Sequence, residues 1–150
     1  MEENSLHRPQ QGDFHWPDVP VLAYKQVGAA PFKDVTRQIL FDDEKLGCQL
    51  RYFEVEAKGH TTLERHAHVH AVMVIRGRGY CLVGDKIFTL ADHDLIHIPS
   101  LTWHQFRADD LAPLGFLCMV NAERDRPQLP SAAELAEMRA NPAIAEFIRV

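Results

Sequence analysis

The chain has 150 residues, of which 46% are hydrophobic and 25% charged, with a formal net charge of −5 at pH 7. That is enough chain for one domain with a real core and no need of disulfide staples. No Lys/Arg cluster stands out to neutralise a phosphate backbone, and no apolar run approaches the ~20 residues that cross a bilayer, so neither nucleic acid nor membrane is expected as a partner. The opening residues Met1-Glu2-Glu3 are acidic where a signal peptide is basic, and no apolar run follows, which predicts a cytoplasmic protein.

Residues 1–20 carry Pro9, Pro17 and Pro20 and are expected to form an extended N-terminal arm. A strand-rich body over 21–126 follows. Its expected strands are 35–41, 48–57, 61–68, 70–75, 79–83, 86–90, 95–98, 103–107 and 114–120. The turns between them have a mechanism, because Asp42-Asp43 with Gly47, Lys58-Gly59, Gly77 with Gly79, and Gly84-Asp85 supply left-handed or self-bonding residues. Strands do not alternate with helices, which disfavours a parallel α/β fold and leaves an all-β sandwich or small barrel.

After Pro127 and Pro130 the pattern becomes helical over 127–150. Ser131-Ala-Ala-Glu134 is a capping-box signature opening a helix over 131–140, Asn141-Pro142 breaks it, and Ile144, Phe147 and Ile148 give a second short helix an apolar face. Both helices are expected to dock on the outside of the body. Cys48, Cys81 and Cys118 are odd in number, lack CxxC spacing and lie in strand-like runs, so buried reduced thiols are expected.

Seven of the nine histidines fall between His60 and His104, and three alternate at His66, His68 and His70. Residues two apart in a strand share a face. Three in a straight strand would nevertheless spread over about 13 Å, too far for bonds of about 2.0–2.1 Å to one ion. A bend must intervene if all three bind. His60, His93 and His97 are read as surface or core histidines, and His7 and His15 belong to the arm.

Two stretches resemble the motifs of the cupin superfamily. The first runs from Gly59 through Glu64, His66, His68 and His70 to Gly77, and is similar to a glycine, an HxH pair, a further ligand and a closing glycine. The second runs from Asp92 to His104, with Pro99 and His104 in register. The family's glycines are replaced here by His93 and Leu101, and its closing asparagine by Ala108. Only Val69 separates His68 from His70, where the family has a longer spacer. Two ligand sets are therefore open: His66, His68, His70 and His104, or Glu64 in place of His68.

The resemblance implies an all-β double-stranded β-helix, the cupin or jelly-roll barrel, with a short C-terminal helical segment. It also implies one divalent transition metal, Fe, Mn, Ni, Cu or Zn, which a histidine-rich donor set does not distinguish by affinity. Members of the superfamily include dioxygenases, isomerases and decarboxylases as well as non-catalytic binders. The expected function is a metal-dependent enzyme of dioxygenase or isomerase type acting on a small organic molecule, with a metal-containing binding or sensory module as the alternative. Gln49, Arg51, Tyr52, Phe53, Arg76, Trp103 and Phe106 neighbour the motifs and are candidates to shape a pocket, although Arg51 and Arg76 read first as solvated outer-face charges. Trp103 is expected to pack beside His104 as support. Strand edges and the N-terminal arm suggest a homodimer.

Overall fold

The computed structural model describes residues 6–25 and 31–150. Nine strands are present among them: β1 (Leu22–Ala23), β2 (Lys33–Phe41), β3 (Cys48–His60), β4 (His70–Gly77), β5 (Gly79–Val83), β6 (Lys86–Leu90), β7 (Leu95–Ile98), β8 (His104–Ala108) and β9 (Leu114–Asn121). All pairings are antiparallel, in the order β6-β5-β8-β3-β9-β4-β7, with β2 on the other edge of β3 and β1 on β2. The sheet curls because the long strand β3 serves two walls. Its first part lies between β2 and β9, and His60 at its end pairs with Arg107 of β8. The fold is the double-stranded β-helix barrel that the motifs imply.

Alternation builds the interior. On β9, Leu114, Phe116, Cys118 and Val120 are buried while Met119 and Asn121 face out; Phe53 and Val55 of β3 and Val72 and Val74 of β4 meet them. This period of two is what a half-buried antiparallel strand requires. Phe53, Phe116 and Phe106 stack in series, with ring centroids 5.5 and 4.4 Å apart, and form an aromatic floor. Gly77 is fixed by a close approach: its φ is 73°, and a Cβ there would stand 1.8 Å from the carbonyl oxygen of Pro113.

Helix α1 (Ala132–Arg139) begins with the capping box read from the sequence, the Ser131 hydroxyl accepting from the Glu134 N–H and the Glu134 carboxylate accepting from the Ser131 N–H. Helix α2 (Pro142–Phe147) follows an Asn141 cap. Ile144, Phe147 and Ile148 form a buried cluster with Leu63 and Leu82. Trp103 joins this outer cluster, where the Arg65 guanidinium lies 4.4 Å from its ring centroid. From the N-terminal segment, Phe14 stacks on Tyr52, Trp16 meets the same ring edge-on, and Val19 is buried. Cys48, Cys81 and Cys118 are free thiols, two of them buried.

One expected strand is absent. Residues 61–68 form a loop, with isolated bridges from Glu64 to His104 and from Arg65 to Gln128 and a backbone bond from the Thr61 N–H to the Phe106 carbonyl. Among the described residues no helix is long and apolar enough to cross a membrane.

Candidate metal centre

The loop between β3 and β4 supplies the bend that a straight strand could not. His66 lies in it, His70 opens β4 and His104 opens β8. Their donor atoms all lie within 4.8 Å of one another. His68 and Glu64 line the same cavity and stand outside that group of three. The structure therefore brings together three of the four histidines singled out from the sequence, with both candidates for a fourth position close by.

Hydrogen bonding sets the tautomers. A carbonyl oxygen only accepts, so the 2.7 Å contact from His66 Nδ1 to the His68 carbonyl and the 3.0 Å contact from His104 Nδ1 to the Thr102 carbonyl place a proton on each Nδ1. Their Nε2 lone pairs are then available. His70 has its Nδ1 2.7 Å from Cys118 Sγ and its Nε2 2.8 Å from His66 Nε2. Two imidazole nitrogens facing each other at that separation repel unless a cation or a proton lies between them. Ligands at right angles around an ion with bonds of about 2.0–2.1 Å would be roughly 2.9 Å apart, so the donor set fits a transition metal. Outer partners on the opposite ring nitrogens are the usual accompaniment of metal-binding histidines.

Burial keeps these rings neutral, as ligands must be. Desolvation lowers the pKa of His66, and it holds His70 far below the ordinary imidazole value, with His104 and His66 adding to the effect. His104 is pushed down to about 3, chiefly by burial, against the opposing hydrogen bond to Thr102.

Asp125 organises the loop from outside. Its carboxylate accepts from the backbone N–H groups of Ala67 (2.7 Å) and His68 (3.0 Å) and from Nδ1 of His68 (2.8 Å). These bonds hold its pKa well below the usual carboxylate range. The His68 ring stacks on His66, centroids 3.6 Å apart and planes within 1°. Glu64 is engaged by the ammonium of Lys25. Behind His104, the side chain of Gln105 is fully buried, donating to the carbonyls of Thr61 and Arg149 at 2.8 Å each and accepting from the Arg149 N–H at 3.0 Å.

A cavity of about 240 Å³ opens over the histidines, with Val72, Ile98 and the phenylalanine floor on its apolar side. Of the pocket candidates, Arg51, Phe53 and Phe106 line it. Arg51 corrects the outer-face expectation: it is 9% exposed, because the register of β3 with β9 sets it opposite the inward-facing Cys118. Arg76 does lie on the other side, paired with Glu54. Tyr52 faces the N-terminal segment, and Trp103 supports β8 from the outer cluster rather than from beside the site. Lys25, Arg37, Arg124 and Asp125 also line the cavity. No local pattern in the sequence marks them, since they arrive from three separate segments, Arg124 and Asp125 together.

Two positive-φ positions fall where the motif comparison places the family's glycines: His93 has φ 70° and Leu101 φ 55°. The turns have kept their shape while losing the residue that adopts it without strain.

A curled antiparallel barrel with a histidine group in its mouth defines a class of protein, and the comparisons place this chain within it. The cupin domain model matches residues 51–120. The chain is 55% identical over 141 residues to 1-methylthio-D-xylulose 5-phosphate methylsulfurylase of Rhodospirillum rubrum, covering 94% of this chain and 90% of that protein. A crystal structure of a cupin 2 conserved barrel domain protein from Rhodopseudomonas palustris superposes with a TM-score of 0.91 at 58% identity, covering 96% of this chain and 99% of the other. A cupin-2 domain protein from Rhodospirillum rubrum gives 0.85 at 54% identity, covering 95% of each. This chain belongs to the cupin family.

Proposed function

We propose that this protein is a cytoplasmic, metal-dependent cupin enzyme whose substrate is a small phosphorylated ketose bearing a methylthio group. The observation that carries the reading is the 55% identity, across 94% of the chain, to a relative named for 1-methylthio-D-xylulose 5-phosphate. The cavity is consistent with it, having an apolar floor for a thioether and charged walls for a phosphate. His66, His70 and His104 would hold the metal through Nε2, and His68 is the candidate fourth ligand, because Asp125 holds its Nδ1 as carbonyls hold those of His66 and His104. Glu64 is the weaker candidate, its carboxylate being bound to Lys25. A bound divalent ion supplies Lewis acidity at the substrate's oxygen atoms. On this reading the reaction is at the carbon carrying sulfur, in place of the dioxygenase or isomerase chemistry expected from the sequence.

The test is turnover of 1-methylthio-D-xylulose 5-phosphate by metal-stripped protein reconstituted in turn with Fe(II), Mn(II), Ni(II), Cu(II) and Zn(II), with thiols and other nucleophiles offered as acceptors and products followed by mass spectrometry. Metal-dependent loss of the methylthio group supports the reading. Tight binding without product under every condition would favour the non-catalytic alternative.

We also propose that two copies associate through the outer face of β7, β4 and β9. Leu95, Met73 and Met119 are exposed there, with Met73 directly across from Leu95 and Ala71 across from Met119. An exposed apolar patch of this kind is typical of a contact surface.

A further inference from the structure

We propose that Arg37, Arg51 and Arg124 form the subsite that receives the substrate's phosphate monoester, an assignment that rests on the sugar-phosphate reading above.

The three side chains come from β2, β3 and the segment after β9 and converge on one cavity. Arg37 and Arg51 point inward from neighbouring strands, in register with Phe53 and Cys118 respectively. Among the described residues none of the three forms an ion pair, whereas Lys25, Arg65 and Arg76 each do. Arg51 is nine-tenths buried, with only the Cys118 sulfur at 3.7 Å as a hydrogen-bond acceptor and the Phe53 ring 4.9 Å from its guanidinium carbon. The Nε groups of Arg37 and Arg51 have no hydrogen-bond partner. Arg124, on the rim, donates to the Asn121 carbonyl at 3.0 Å. Burial and the nearby charge of Arg51 lower the pKa of Arg124; Asp42 opposes this and Arg37 adds to it.

A buried cation without a counter-charge, as Arg51 is, is costly unless a ligand supplies the opposite charge, and Arg37 and Arg124 add theirs at the same cavity. A phosphate monoester dianion matches this need better than a carboxylate, because it brings close to two charges and three oxygens to three planar forks. The position suits a short sugar. Cys118 Sγ touches both Arg51 (3.7 Å) and His70 (2.7 Å), so one sulfur atom separates the arginine wall from the histidine centre. A chain of five carbons anchored by its phosphate at the arginines would bring its far end to the histidines.

The experiment compares D-xylulose 5-phosphate with D-xylulose by calorimetry on the metal-loaded protein, alongside Arg51→Met, Arg124→Met and Arg51→Lys, with metal content measured on every sample. The phosphorylated sugar should bind roughly 10- to 100-fold tighter than the neutral one. Each Arg→Met change should remove most of that preference while metal content stays full, and Arg51→Lys should restore only part of it. Arg124→Met, on the rim, keeps the test decisive should Arg51→Met misfold. Equal affinity for the two sugars, or an undiminished preference in the folded Met variants, would overturn the subsite. The outcome separates from that of the activity assay: turnover with unchanged KM in the arginine variants defeats the subsite alone, and a phosphate preference lost with the arginines but without turnover defeats the catalytic reading alone.

Discussion

Asp125 grips His68 at two points, the backbone N–H at 3.0 Å and the ring Nδ1 at 2.8 Å, across 57 residues of sequence. With the further bond to the Ala67 N–H, this carboxylate shapes the tight turn that aims His66 at His70. Asp125→Ala should therefore weaken metal binding by about 10-fold or more, the usual loss when a partner behind the ligands is removed. Competition with a chelating dye measures it, and unchanged affinity would show that the turn holds its shape without Asp125.

Alanine at His66, His70 or His104 should each abolish stoichiometric metal, because each removes one of three donors that lie within 4.8 Å of one another. His68→Ala should lower affinity while leaving metal content full at saturation, and Glu64→Gln should change it less. Elemental analysis after dialysis distinguishes these outcomes. Full retention by His104→Ala would sink the site as drawn.

Lowered imidazole pKa values give the metal-free protein a pH signature. His104, at about 3, stays neutral in the folded chain while an unfolded chain takes up a proton near 6.5. Below that value the unfolded state binds more protons, so stability falls with pH. The thermal midpoint should be level above about pH 7 and decline from about pH 6.5, before most carboxylates titrate. His104→Asn should flatten that decline; an identical profile in the variant would show that other groups cause it.

Leu101 holds φ 55° with its side chain 53% exposed, so Leu101→Gly relieves backbone strain and sacrifices little packing. Left-handed backbone costs a non-glycine residue about 1–2 kcal/mol, and glycine's extra unfolded-state freedom returns about 0.5–1 kcal/mol of that. A net gain of about 0.5–1 kcal/mol in urea denaturation is expected. A loss would mean that the leucine side chain itself supports the turn.

Light scattering on the purified chain should give twice 17.1 kDa. Leu95→Asp, at the β7 edge of the exposed apolar face and its most exposed residue, should halve that mass. A wild-type monomer at micromolar concentration would refute the dimer.

Much of the barrel was legible because half-buried strands write their two faces into the chain. The alternation in β9 and the capping box at Ser131 needed nothing from outside their own segments. His104 was singled out through the resemblance of the stretch from Asp92 to His104 to the second cupin motif, and it stands in the histidine group. The segment 61–68 misled, since its residues suit a strand and the contact that turns it comes from Asp125, far along the chain. Arg51 misled for a related reason: strand register decides which side of β3 faces inward, and that register belongs to the partner strand as much as to β3. Arg37 and Arg124 carry no local mark at all, because only the curl of the sheet brings β2 and the end of β9 to one cavity.

The chain has two tryptophans, and the fold has placed them as independent optical reporters. Trp103 precedes His104 in the chain and lies beneath α1 and α2, so its emission should register changes at the opening of β8, including quenching by a paramagnetic ion. Trp16 lies against Tyr52 on the far side of β3 and should follow the N-terminal segment instead. In Trp16→Phe protein, a single fluorescence trace would therefore follow loading of the centre as it happens.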